Sequence, residues 1–153
     1  DIVSELEDGK NVAMLTIGDP SVYSTYMYIH KRVIQAGFMA VMISGVPSFC
    51  AAAARLGISL GEMGDEIHII PASYDVRDTV GYGGTCVYMK SGKKLAELIE
   101  VLRTESKGEA GEGADMTVYG VTNCGMESER VYRGLDELTK AKGYLTIVIV
   151  KYS

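Results

Sequence analysis

The chain has 153 residues, 47% of them hydrophobic and 23% charged, the proportions of a soluble globular protein rather than a disordered one. Its net charge of −5 argues against a general nucleic-acid or anionic-membrane binder, which would carry a basic face. No apolar run reaches the roughly 18 residues of a transmembrane helix. The three cysteines, Cys50, Cys86 and Cys124, are widely spaced, and His30 and His68 stand isolated. This is no metal-ligand pattern; it reads as reduced thiols in a cytoplasmic protein with no metal site.

In chain order, Asp1–Gly9 reads as the end of a helix, with Ile2 and Leu6 on one face and Gly9 as its stop, so upstream sequence is expected. Residues 12–17 (Val-Ala-Met-Leu-Thr-Ile) make an apolar run long enough for a buried strand. Gly18-Asp19-Pro20 follows, with Asp19 as a helix cap and Pro20 at the first helical position. From Ser21 the spacing of Val22, Tyr26, Ile29, Val33 and Ile34 predicts a helix that stops at Gly37.

A second strand, Ala40–Ser44, leads into the turn Gly45-Val46-Pro47-Ser48-Phe49 and an alanine-rich helix, Cys50–Leu56, closed by Gly57. Two strand–turn–helix units in succession predict a parallel sheet with both turns opening on one edge, where open α/β sheets bind their ligands. Strand–helix turns favour Gly, Asp and Pro for backbone reasons alone, so the tripeptide does not by itself mark a site. The wider string adds hydroxyls at Ser21, Ser24 and Thr25 and aromatics at Tyr23, Tyr26 and Tyr28, a surface suited to a flat or polar ligand.

A third strand is read over Glu66–Pro71, and residues 72–84 as a linker or lid. Thr85–Lys90 alternates like a strand, with a helix from Lys93 to about Arg103 and a mobile Gly-rich loop over 104–114. A strand Met116–Thr122, a turn at Asn123-Cys124-Gly125, a helix over Ser128–Lys142 and a strand Leu145–Tyr152 complete the expectation. The fold class is thus α/β in two domains. Residues 1–74 form a truncated first domain, 75–84 a linker, and 85–153 a second α/β domain built as βαβαβ.

Ile17-Gly18-Asp19-Pro20-Ser21-Val22-Tyr23-Ser24-Thr25-Tyr26, then Gly45–Phe49 with its alanine helix to Ile58, then Cys86–Lys90, resemble the tetrapyrrole (corrin/porphyrin) methylase family over essentially the whole chain. The resemblance implies a fold of two α/β domains with a cleft between them, whose opening Gly-rich motif this sequence does not contain. It also implies S-adenosylmethionine-dependent methylation of ring carbons, S-adenosylhomocysteine being the product. The Asp-Pro-Ser-Val-Tyr-Ser-Thr-Tyr form is most similar to members acting on C-20 of precorrin-2 or cobalt-factor II, in cobalamin biosynthesis. A homodimer is implied as well.

By the same resemblance the cofactor contacts fall on Ile17, Gly18, Asp19 and Val22. Pro47 and Ser48 stand where relatives carry Thr-Ala or a similar pair, Met89 matches a strand methionine, and Cys124 occupies a position often filled by glycine. Tyr23, Ser24, Thr25 and Arg77 are candidates for a polycarboxylate substrate, Arg77 ahead of Lys31, Arg32, Arg55, Lys90 and Arg130. No catalytic residue is assigned; Asp19, Tyr23, Tyr26 and Asp75 are candidate bases. The rival readings are another precorrin methylase, a diphthine synthase-like enzyme that modifies a protein, and a non-catalytic α/β nucleotide-binding module.

Overall fold

The structure is a computed structural model that describes residues 1–71, 75–79, 81–108 and 113–153. Parts of the expected linker (72–74 and 80) and of the expected Gly-rich loop (109–112) lie outside the described residues. The chain divides into two compact units, Asp1–Ser48 and Phe49–Ser153.

In the first unit, helix α1 (Ile2–Glu7) begins at Asp1, whose carboxylate accepts the Val3 N–H at 3.2 Å. Helix α2 (Tyr26–Gln35) ends where Gly37 turns left-handed (φ 87). There the Gly37 and Phe38 amides donate back to Ile34 and Val33, the paired bonds of a Schellman stop. The same geometry closes α1 at Gly9 and helix α3 (Ser48–Leu56) at Gly57, so all three expected glycine stops are present.

Two expectations fail in this unit. The helix predicted from Ser21 starts five residues later, because Tyr23 takes a left-handed backbone (φ 48) and the Asp19 carboxylate bonds Ser21 instead of capping a helix. The runs 12–17 and 40–44 are not ladder strands either: among the described residues no backbone pairing joins either of them to a neighbour. Leu15, Ile17, Val41 and Ile43 are exposed there, so β-propensity without a hydrogen-bonded partner leaves only extended chain. The expected parallel sheet with two turns on one edge is therefore absent from the described part of this unit.

The second unit holds one five-stranded sheet in the order β1-β2-β5-β3-β4. Its strands are β1 (Ile67–Pro71), β2 (Thr85–Met89), β3 (Met116–Thr122), β4 (Arg130–Arg133) and β5 (Thr146–Tyr152). Only β1 and β2 run parallel; the other neighbours are antiparallel, so the sheet is mixed rather than βαβαβ. Pro71 falls at the end of an edge strand, where its missing N–H costs no ladder bond.

Helix α4 (Leu95–Lys107) starts and ends later than predicted, after a short 3-10 turn at Ser91–Lys93, and takes up the first residues of the expected loop. The predicted helix Ser128–Lys142 is instead strand β4 followed by one helical turn, α5 (Leu135–Leu138). Val131, Tyr132, Leu135 and Leu138 do have helical spacing. However, β3 presents an open edge that Arg130–Arg133 fills, and Gly134 (φ 86) breaks the run.

One core packs against one face of this sheet. Alternation turns Cys86 and Tyr88 of β2 and Val148 and Val150 of β5 onto that face, against Leu95, Leu98, Ile99 and Leu102 of α4. Leu98 is fully enclosed, whereas Leu15 in the first unit is 92% exposed. Leu98→Ala is therefore expected to cost about 2–5 kcal/mol. Leu15→Ser is expected to stay within about 0.5 kcal/mol of the parent. Urea denaturation followed by circular dichroism reads both.

Candidate functional site

The Gly18-Asp19 turn is held by a single carboxylate. Asp19 is buried and accepts the Ser21 amide at 2.8 Å, the Ser21 hydroxyl at 2.5 Å and the Gly45 amide at 2.9 Å. The last bond spans 26 residues of sequence and sets the turn at 17–22 against the turn at 45–48. At Gly45 the two backbones touch so closely that a Cβ would lie 2.1 Å from the Gly18 carbonyl oxygen, a contact only glycine permits.

Six of the residues expected to contact a cofactor therefore cluster in one pair of abutting turns: Ile17, Gly18, Asp19 and Val22 on one, Pro47 and Ser48 on the other. The Val22 amide closes the first turn on the Asp19 carbonyl at 3.3 Å, Gly18, Pro47 and Ser48 are half-buried, and Ile17 is exposed. Small residues with accessible backbone at two adjoining turns are the donor set that suits the amino-acid and ribose portions of a nucleoside cofactor. Tyr23, Ser24 and Thr25 continue directly from this turn, the Ser24 hydroxyl accepting the Tyr26 amide at 3.2 Å.

Hydrogen bonds from Ser21, side chain first, and from the Gly45 amide hold the Asp19 carboxyl below the usual carboxylate range. A carboxylate so engaged holds a turn; it is a poor acceptor for a substrate proton at neutral pH. Asp75 is likewise engaged, accepting the Arg77 amide at 3.1 Å. The Tyr26 hydroxyl lies 3.2 Å from His30 Nδ1. A cleft of about 550 Å³ also opens in the first unit, but its walls are mostly the apolar runs 12–16 and 39–43, and it reaches the paired turns only at Gly18, Pro20 and Gly45.

In the second unit Met89 and Cys124 come to the same end of the sheet. Met89 is the last residue of β2, and Cys124 lies two residues past the end of β3. Only β5 separates those strands, a gap of about 10 Å. Each strand is followed at once by a non-glycine residue in left-handed conformation, Lys90 (φ 57) after β2 and Asn123 (φ 51) after β3. Such backbones cost on the order of 1 kcal/mol or more and gather at ligand sites.

This end of the sheet is braced as well. Thr122 and Thr146, both buried, join hydroxyls at 3.0 Å, the Asn123 amide donates to Leu145, and Gly92 packs against the Gly143 carbonyl too tightly for any Cβ. Burial of the ring and thiol keeps Tyr88 and Cys86 protonated on the opposite, α4-facing side, the thiol pushed up to about 11. Arg77 lies in a 3-10 turn, Val76–Thr79, that is anchored on that α4-facing side by the Thr79–Tyr88 hydroxyl pair at 2.9 Å. The Arg77 amide bonds Asp75, and among the described contacts none joins Arg77 to Met89 or Cys124.

Sequence reasoning missed two features of these turns. The Asp19–Gly45 bond had no local signal, although two Gly-containing turns at strand ends were visible. Glu129, which falls inside the helix expected over Ser128–Lys142, instead accepts the Gly125 amide at 2.8 Å and pairs with the Arg55 guanidinium.

The family model described as Tetrapyrrole (Corrin/Porphyrin) Methylases matches residues 2–138. A relative from Methanocaldococcus jannaschii, a probable cobalt-precorrin-2 C(20)-methyltransferase, is 32% identical over 148 residues, covering 95% of this chain and 60% of its own length. This chain thus spans about three-fifths of that relative.

Among solved structures, a cobalt precorrin-4 methyltransferase matches with a TM-score of 0.78 at 18% identity, over 98% of this chain and 67% of that one. A uroporphyrin-III C-methyltransferase from Thermus thermophilus, complexed with S-adenosylhomocysteine, gives a TM-score of 0.62 at 16% identity over 88% and 62% of the two chains. At such identities the likeness is one of fold.

The Asp19 geometry makes a pH prediction. A carboxyl whose folded pKa is depressed stabilises the fold above its unfolded value, and that contribution is lost as pH falls through the folded value. Asp19→Asn should therefore lower the urea midpoint most at pH 7, with the deficit narrowing below about pH 4. A deficit that stays constant from pH 7 to pH 3 would mean the charge on Asp19 does not hold the turns.

Proposed function

The chain belongs to the tetrapyrrole methylase family, and from that premise we propose that it is an S-adenosylmethionine-dependent C-methyltransferase of cobalamin biosynthesis acting on C-20 of precorrin-2 or cobalt-factor II. The observation that carries the reading is the pairing of the Gly18-Asp19 and Gly45–Ser48 turns through one buried carboxylate, in a chain whose family match runs through both turns. The C-20 position is favoured by the archaeal relative and by the Asp-Pro-Ser-Val-Tyr-Ser-Thr-Tyr string.

In this reading the cofactor contacts are Ile17, Gly18, Asp19, Val22, Pro47 and Ser48 in the first unit and Met89 and Cys124 in the second. The bound cofactor supplies an activated methyl group on a sulfonium sulfur, so the protein's work is orientation and exclusion of water rather than covalent chemistry. Asp19 acts through the backbone it fixes, the paired turns present small, accessible groups, and Met89 offers a polarisable thioether suited to a flat purine. Tyr23, Ser24, Thr25 and Arg77 face the task of holding carboxylate arms of the ring, Arg77 by a bidentate pair. The two-domain organisation with its linker at 75–84, the homodimer and a cytoplasmic setting go with the same reading.

Calorimetric titration with S-adenosylhomocysteine tests it, with one-to-one micromolar binding expected. Asp19→Ala and Met89→Ala should each weaken that binding about fivefold or more, the effect of losing roughly 1 kcal/mol. Affinity unchanged by both substitutions would sink the residue assignments. Incubation of the protein with ¹³C-methyl cofactor and either tetrapyrrole then reads the position by NMR. Enrichment at C-20 is the expected result, enrichment at another ring carbon reassigns the member, and binding with no transfer favours a non-catalytic module.

A further inference from the structure

The turn that carries Cys124 is organised around a carboxylate that no local pattern announces. Glu129 lies five residues along, after a short loop in which the Met126 amide donates to Asn123 and the Glu129 amide to Met126, at 3.0 and 2.9 Å. Its side chain folds back into the loop, only 17% exposed, and Oε2 accepts the Gly125 amide at 2.8 Å. The other oxygen, Oε1, takes the Nε–H of Arg55 near the end of α3, an ion pair across 74 positions of sequence.

Asn123 and Gly125 on either side of Cys124 both have positive φ, 51 and 79. The Asn123 side chain is tied in turn to the Ser128 hydroxyl at 2.9 Å. Glycine takes that conformation freely, but Asn123 takes it at a cost, so the loop needs contacts that hold it. Glu129 does so by accepting the Gly125 amide; that bond first, and then the Arg55 guanidinium, holds the carboxyl below its ordinary range and in place.

We propose that Glu129, clamped by Arg55, is a positioning residue that fixes the Asn123-Cys124-Gly125 turn in the conformation that receives the cofactor. The proposal rests on the methyltransferase reading above, since that reading puts Cys124 at the cofactor. It adds a residue that touches no ligand itself, and it explains why an acid and a base far apart in sequence meet beside this turn. The Cys124 thiol reports on the arrangement: burial raises its pKa first, the Glu129 charge raises it further, and Arg55 opposes the rise.

Two readouts on one set of variants test this. In a Cys50→Ser background, which removes the exposed thiol and leaves Cys86 enclosed, iodoacetamide alkylation reads Cys124 alone. Glu129→Ala should speed alkylation severalfold and move its pH–rate profile to lower pH, and Arg55→Gln should move it to higher pH. Glu129→Gln, which keeps an acceptor for the Gly125 amide but loses the charge, should shift the profile as Glu129→Ala does and retain most of the cofactor affinity. Glu129→Ala should weaken S-adenosylhomocysteine binding about tenfold or more, the worth of a charge-assisted hydrogen bond.

An alkylation profile identical in parent and Glu129→Ala would overturn the proposal, because Glu129 would then not be folded back against the turn as its bond to Gly125 requires. Altered alkylation with unchanged affinity would overturn its link to the cofactor. If the parent itself fails to bind S-adenosylhomocysteine, the methyltransferase reading falls and takes that link with it, while the alkylation profiles still decide whether the Glu129 charge lies against Cys124 in this turn.

Discussion

Strand β5 is the constraint on which the second unit depends. It is the last strand in sequence yet sits in the middle of the sheet, bonded to β2 on one side and to β3 on the other. Thr146 through Val150 are all buried, as a strand covered on both faces and paired on both edges must be. Because β5 runs antiparallel to both neighbours, β2 and β3 run the same way, and their carboxyl ends come out together. Met89 and Cys124, 35 positions apart, come to one end of the sheet through that direction and the register of the pairing.

The first unit depends on a different device, a polar one. No ladder among its described residues ties the two turns together, so the Asp19 carboxylate supplies the tie, with Gly45 as the backbone that can come close enough. Glu129 does comparable work in the second unit. In both cases a carboxylate accepts an amide from a glycine in a turn and is kept ionised by further donors, hydroxyl and amide at Asp19, guanidinium at Glu129. Carboxylates spent on backbone are stabilisers of shape. A methyl transfer, which relies on alignment more than on proton traffic, is the kind of chemistry such turns suit.

Much of the local structure was legible from the residues. Met116–Thr122 reads as a strand and is one to the residue, because β-branched residues crowd it and Asn-Cys-Gly ends it. Gly9, Gly37 and Gly57 read as helix stops and act as such, since the left-handed residue at a helix end is a local requirement. The failures are equally specific. Residues 128–142 have helical spacing but lie beside the open edge of β3, and edge pairing outweighed a propensity preference of a few tenths of a kcal/mol per residue. Residues 12–17 and 40–44 have strand composition and no paired neighbour among the described residues.

The sequence by itself determined the family and the identity of the turns, because motifs such as Gly-Asp-Pro-Ser-Val-Tyr are contiguous and their chemistry is written in adjacent residues. It also determined where helices stop and which segments favour extended chain, since both follow from φ/ψ preferences a residue carries with it. Only the tertiary structure decided that Asp19 bonds Gly45 rather than capping a helix and that Glu129 faces Arg55. It alone also placed the final strand at the centre of the sheet. Those outcomes turn on which distant backbone amide or open strand edge lies within about 3 Å, and no property of a residue's own neighbours in sequence specifies that distance.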